Sequence, residues 1–120
     1  GGVSEAVKAT LARLHPNRRI TLEAQQADGV PACKAMIEEL VAGNTTANFF
    51  EGMGCAGGCV GGPKSLLRKE DAREKVNAYG RKSLYKTPLD NPYVLELLHR
   101  LNFKTLDSLL HDNEFFIRKF

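Results

Sequence analysis

Residues 52–63 hold six of the chain's eleven glycines and two of its three cysteines, in the run Gly52-Met53-Gly54-Cys55-Ala56-Gly57-Gly58-Cys59-Val60-Gly61-Gly62-Pro63. Glycines crowd in this way where a loop must take positive φ and bring its backbone close to a bound group. Two cysteines separated by three residues can turn both thiolates toward one centre. Amide N–H groups freed by Gly57 and Gly58 can then donate to sulfur, which tunes the potential of a cluster. The rest of the chain is read as the frame that carries this loop.

That frame is mixed. Val3, Val7, Leu11 and Leu14 recur at helical spacing and predict a helix over 3–14, ended by His15-Pro16. Ile20-Thr21-Leu22-Glu23-Ala24 alternates apolar and polar, as a half-buried strand does. Asp28-Gly29 is then a turn, and Pro31 stands near the first position of a helix over 30–42. Its apolar face is Val30, Cys33, Met36, Ile37, Leu40 and Val41, with Gly43 as its stop. Asn48-Phe49-Phe50-Glu51 is a second short strand. Strand, helix and strand within about 35 residues form a β-α-β unit with parallel strands. The glycine run leaves the carboxyl end of the second strand, where open α/β sheets place their ligands. Beyond it the chain turns helical over 68–83, from Asn91-Pro92 to Leu101, and over 105–111 with Leu106, Leu109 and Leu110 inward. Phe115, Phe116, Ile117 and Phe120 end it with an apolar tail that must dock or stay sticky. The expected fold class is therefore α/β: a small parallel sheet with flanking helices and a helical C-terminal half. The chain reads as one domain of 120 residues, with a β-α-β part over 1–63 and a helical tail over 64–120.

Composition narrows the function classes. A 42% apolar and 26% charged chain folds rather than staying disordered. No apolar run approaches the roughly 20 residues that cross a bilayer, so no membrane partner is expected. The start lacks a basic region followed by an apolar stretch, so no signal peptide is expected and a cytoplasmic location is. In that compartment the three cysteines are thiols or metal ligands, not a disulfide framework. The net charge of +3 conceals a block over 64–86 with eight basic groups and three acids. Its acids are interleaved, as in Asp71 and Lys75 at i,i+4, and only Tyr79 and Tyr85 could stack on bases. It therefore reads as a solvated helix face, and nucleic acid is not expected as a partner.

Several chemistries compete for the cysteine pair. A redox dithiol has two intervening residues, not three. Radical-SAM enzymes need a further cysteine where Gly62 stands. Zinc would need two more ligands from His15, His99 and His111, none at finger spacing. Idle thiols in a flexible loop are the plain alternative. Cys33, level with Met36 and Ile37, reads as a core residue. Glu51 is a proton carrier, an acceptor behind the site, or a solvated strand end. His99 reads as a helix-surface group, and His111 as a partner of its helix dipole.

The pattern Glu51-x-Met53-x-Cys55-x-Gly57-Gly58-Cys59 resembles the third cluster-binding signature of the iron-only ([FeFe]) hydrogenases, E-x-M-x-C-x-G-G-C-x-x-G-G-G-x-P. Gly1-Gly2-Val3-x-Glu5-Ala6 resembles that family's upstream GGVMEA stretch, and Asn91-Pro92 resembles the NP of its helical tail. After Cys59 the run Val60-Gly61-Gly62-Pro63 is shorter than the family's ending. The resemblance implies the C-terminal lobe of a catalytic domain some three times longer, in an anaerobic oxidoreductase that interconverts protons, electrons and hydrogen. It implies that Cys55 and Cys59 are two of four thiolates on the [4Fe–4S] part of the H-cluster. Cys59 would bridge to the two-iron subcluster, Met53 would pack beside it, and Gly57 and Gly58 would line it. It further implies the N-terminal part of the catalytic domain and a ferredoxin-like electron carrier as partners. The family's other signatures are absent here, so no residue is assigned to catalysis and an intact cluster is not expected in this chain by itself. A non-catalytic iron–sulfur or metal-binding module, and a protein-interaction domain with vestigial cysteines, are the alternatives.

Overall fold

Gly29 lies at φ 82°, a conformation that suits glycine, and at that point the chain turns from a strand into a helix that begins Val30-Pro31. The computed structural model describes residues 2–112, 114–115 and 117–118. The chain divides into two compact units, Gly1–Lys86 and Thr87–Phe120. In the first, α1 (Gly2–Leu14), β1 (Ala24–Asp28), α2 (Val30–Val41), β2 (Phe49–Met53), a short 3-10 turn (Gly58–Gly61) and α3 (Lys69–Arg81) follow in order. In the second come a 3-10 turn at Pro88–Asp90, α4 (Pro92–Arg100) and α5 (Leu106–Leu110). Among the described residues, no helix is long and apolar enough to cross a membrane.

β1 and β2 pair in parallel, with Ala24 opposite Phe49 and Asp28 opposite Met53. The expected β-α-β unit is present, but its first strand is displaced from 20–24 to Ala24–Asp28. The partner decides this: β2 begins at Phe49, whose N–H donates to the Glu23 carbonyl at 3.2 Å, and backbone before Glu23 has no strand to pair with. Asn48 prolongs the ladder with its side chain instead. Its Oδ1 accepts the Glu23 N–H at 2.9 Å and its Nδ2 donates to the Thr21 carbonyl at 2.8 Å. At the other end the Gly29 N–H donates to the Met53 carbonyl at 2.8 Å.

Side chains alternate across this ribbon, so Ala24, Gln26, Asp28, Phe49, Glu51 and Met53 share one face. Glu51 bonds to Ser4 of α1, which puts α1 on that face. A Cβ at Gly52 would lie 3.3 Å from Cys33 Sγ, which puts α2 on the other. Two strands about 4.8 Å apart are narrower than a helix about 10 Å across, so they cover only a stripe of each helix. Met36 is accordingly the buried residue of α2, while Val30, Ile37, Leu40 and Val41 of the expected apolar face are exposed, Val41 to 83%. In α1 the buried residue is Ser4, and Val3 of the expected face is 56% exposed.

The second unit is built from caps. Asn91 accepts the Tyr93 N–H at 3.0 Å to open α4, and Thr105 with Ser108 forms a capping box for α5. Phe115 meets Phe103 edge to face at 6.0 Å, which gives one tail aromatic its docking partner. Phe116, Phe120, Gly1 and the side chain of Leu110 lie outside the described residues.

The accessible surface is 9881 Å². A compact 13.2 kDa monomer would expose about 6,400 Å², and the two units taken as separate compact bodies about 7,600 Å². This chain therefore leaves much of its apolar surface in water. By itself it is expected to bind a hydrophobic dye and to unfold in urea over a broad range, with a slope below about 1 kcal/mol/M. A sharp transition of a monomer by circular dichroism would contradict that burial.

Candidate metal centre

β2 delivers the chain through Gly54 to Cys55 at the carboxyl end of the sheet, where the sequence places it. Gly57 and Gly58 then take successive left-handed conformations at φ 86° and 68°. These reverse the backbone and let the Gly58 N–H donate to the Cys55 carbonyl at 2.9 Å. The short turn over Gly58–Gly61 carries Cys59, and the loop closes on itself: a Cβ at Gly61 would stand 2.2 Å from the Ala56 carbonyl oxygen. Gly58 is just as confined, because Met53 Sδ occupies the space 2.5 Å from where its Cβ would be. Met53 and Gly58 are thus packed together.

Cys55 is half-buried, Cys59 exposed, and both are free thiols. Cys55 Sγ lies 3.9 Å from the Cβ position of Gly62, and the Cys59 carbonyl 3.4 Å from the same point, so Gly62 borders both cysteines. Cys59 also lines a cavity of about 330 Å³ with Met53, Gly57, Arg73, Gly2 and Val3. α3 closes the loop from above, with the Lys69 stem lying over Gly57. The ion pair expected at Asp71 and Lys75 is instead a bidentate Arg68–Asp71 pair at 2.9 and 3.1 Å; Arg68 is 80% exposed and the pair contributes little to stability.

Cys33 stands apart from the pair. Its thiol points at the Ala27 carbonyl at 3.6 Å and the Met53 carbonyl at 3.4 Å, between α2 and the ends of both strands. It is half-buried and not the fully buried core residue expected, because the narrow sheet leaves its helix partly uncovered. Among the described residues no group of three or more His, Cys, Asp or Glu side chains is placed to hold a metal ion. His15 and His99 are exposed, and His111 bonds within its own helix to Asp107. The donor set among the described residues is therefore two cysteine sulfurs on a glycine-built loop, half of the four ligands that either a [4Fe–4S] cluster or a structural zinc ion takes.

Glu51 is the residue whose placement the sequence left open. It is 7% exposed, so the solvated-strand-end reading is overturned, and it accepts both the N–H of Ser4 at 2.9 Å and the Ser4 hydroxyl. The Ser4 hydroxyl, and after it the Ser4 N–H, hold the Glu51 carboxyl below its ordinary value of 4.5, against the opposing effect of burial. The partnership with Ser4 was not legible beforehand. The alternation that puts Glu51 and Met53 on one face was legible, but not which helix covers it.

The family model described as iron only hydrogenase large subunit, C-terminal domain, matches residues 1–63, which end with the cysteine loop. No curated protein matches the chain.

Proposed function

The chain belongs to the family of the iron-only hydrogenase large subunit, C-terminal domain, and on that premise we propose that its cysteine loop is one half of the cluster site of a hydrogenase. Cys55 and Cys59 would hold the [4Fe–4S] part of the H-cluster as thiolates, Cys59 being the one nearer the two-iron subcluster, with Met53 beside it. The bound group supplies the redox chemistry that interconverts two protons and two electrons with hydrogen. The protein's part is placement. Gly57 and Gly58 reverse the loop between the two cysteines, and Met53 and Val60 line the cavity beside Cys59. The observation that carries this reading is the position of the loop: two free thiols on a self-closing glycine turn at the carboxyl ends of two parallel strands.

Two thiolates cannot complete the cluster, so the remaining ligands come from the N-terminal part of the same catalytic domain. That part also covers Val30, Ile37 and Val41 of α2, which stand in water here. A ferredoxin-like protein in the cytoplasm is the electron partner. The test is anaerobic reconstitution with iron and sulfide of this chain and of a longer polypeptide that includes the upstream region. The longer one is expected to bind about four iron per chain with a [4Fe–4S] spectrum, and the short one not to do so as a monomer. Uptake of a full cluster by a dimer of the short chain would favour the non-catalytic module instead.

A further inference from the structure

Ser4 and Glu51 are buried polar residues, 3% and 7% exposed, and they meet each other from elements 47 positions apart. Ser4 sits in the first turn of α1, where helix N–H groups have no partner within the helix. A carboxylate accepting those N–H groups holds the end of the helix down by hydrogen bonds and by its charge against the positive end of the helix dipole. The residues just before Ser4 are the ones that matter for the site: Gly2 and Val3 wall the 330 Å³ cavity into which Cys59 and Met53 open. Glu51 and Met53 are two positions apart on one face of β2. The strand that points its carboxylate at α1 is therefore the strand that delivers the cysteine loop.

We infer that Glu51 is a positioning residue for the cysteine site: its carboxylate pins the first turn of α1 to β2 and so sets Gly2 and Val3 as the wall of the cavity beside Cys59. With the carboxylate neutralised, the first turn of α1 is released and the cavity opens to water. The inference deepens the cluster-site reading and rests on it for its consequence, while the packing it describes exists in the apoprotein too. Other charged groups lie nearby. The ammonium at the start of this chain and the Val3 N–H also lower the Glu51 carboxyl, and the longer polypeptide has no ammonium there. Asp28 and Glu39 line a cavity of about 500 Å³ that Glu51 also lines, Glu5 and Lys8 follow Ser4 on α1, and Arg73 of α3 lines the cavity of Cys59. A test must therefore separate Glu51 from these.

The two methionines of this chain provide the separation. Both line the cavity of about 500 Å³ with Glu51, Asp28 and Glu39, but Met53 also lines the cavity of Cys59 and Met36 does not. In the longer apoprotein with 13C-labelled methionine methyl groups, assigned by Met53→Leu and Met36→Leu, the Met53 signal is expected to titrate while the Met36 signal stays fixed. Because the folded carboxyl is held below its ordinary value of 4.5, the clamp is complete above that pH and is lost as pH falls through the lower folded midpoint. Glu51→Gln should keep the Met53 signal at its low-pH position throughout, although Asp28 and Glu39 remain. Ser4→Ala, which removes only the hydroxyl, should move the midpoint up toward the ordinary value. It serves as the second variant if Glu51→Gln does not fold. After reconstitution, Glu51→Gln should alter the electron paramagnetic resonance spectrum of the [4Fe–4S] cluster. A Met53 signal insensitive to pH, an unchanged titration in Glu51→Gln or an unmoved midpoint in Ser4→Ala would overturn the inference. So would an unaltered cluster spectrum in Glu51→Gln, or movement of both methionines together. Failure of the wild-type polypeptide to bind a cluster would instead overturn the cluster-site reading, and the methyl titration would still decide the packing.

Discussion

Cys59→Ala and Cys55→Ala, each made in the longer polypeptide, are expected to abolish [4Fe–4S] uptake, whereas Cys33→Ala leaves the iron content unchanged. Cluster ligation needs a thiolate at a fixed place, and alanine offers no donor, so the effect is all or none in iron analysis and in visible absorbance. Cys59 is exposed and Cys55 half-buried. Their removal therefore costs the fold little, and a lost cluster cannot be ascribed to unfolding. Cys33 predicts the opposite pattern. Its thiol faces the Ala27 and Met53 carbonyls and sits against Gly52. Alanine there loses a weak hydrogen bond and some packing, about 1 kcal/mol in denaturant unfolding, with no change in iron content. Loss of the cluster in Cys33→Ala would reverse the ligand assignment.

Gly61→Ala is expected to disable the same loop without touching a sulfur. The added methyl carbon would stand 2.2 Å from the Ala56 carbonyl oxygen and 3.2 Å from the Ala56 carbonyl carbon. Those atoms are backbone of the segment between the two cysteines and cannot swing aside as a side chain can. The loop must open by more than an ångström, at a cost of about 1–3 kcal/mol by analogy with overpacked cores. The cysteines then lose their mutual placement, and cluster stoichiometry falls with them. Gly54→Ala is the matched control: it has nothing within 4 Å of the added carbon and lies outside the left-handed region. It is expected to change stability by less than about 0.5 kcal/mol and to bind iron normally. Equal iron content in the two variants would show that the closure at Gly61 does not position the site.

The features legible in the sequence are those decided by neighbours along the chain. Twenty residues join the ends of β1 and β2, too many for a tight hairpin and enough for a helical crossover, and the strands are parallel as that length requires. Asn91 before Pro92 opens α4 as a cap because its side chain reaches the Tyr93 N–H two residues on. Gly57 and Gly58 sit at positive φ because a reversal between two nearby cysteines needs it. The signature around Cys55 and Cys59 is local too, and the family match ends where it does.

Contacts across the chain decided the rest. Whether Ile20–Ala24 or Ala24–Asp28 forms β1 depends on where Phe49 begins its partner, and local alternation carries no such information. Periodicity tells which residues of α1 and α2 share a face, but not how wide a surface lies under that face. With two strands beneath it, α2 buries Met36 and leaves Ile37 and Val41 in water, and Cys33 is only half covered. The fate of Glu51 shows the same limit. Its ionised, buried state depends on Ser4, 47 residues away, being brought over β2 by the packing of α1. A charge is stable in a buried place only where donors converge on it, and that convergence is a property of the tertiary arrangement alone.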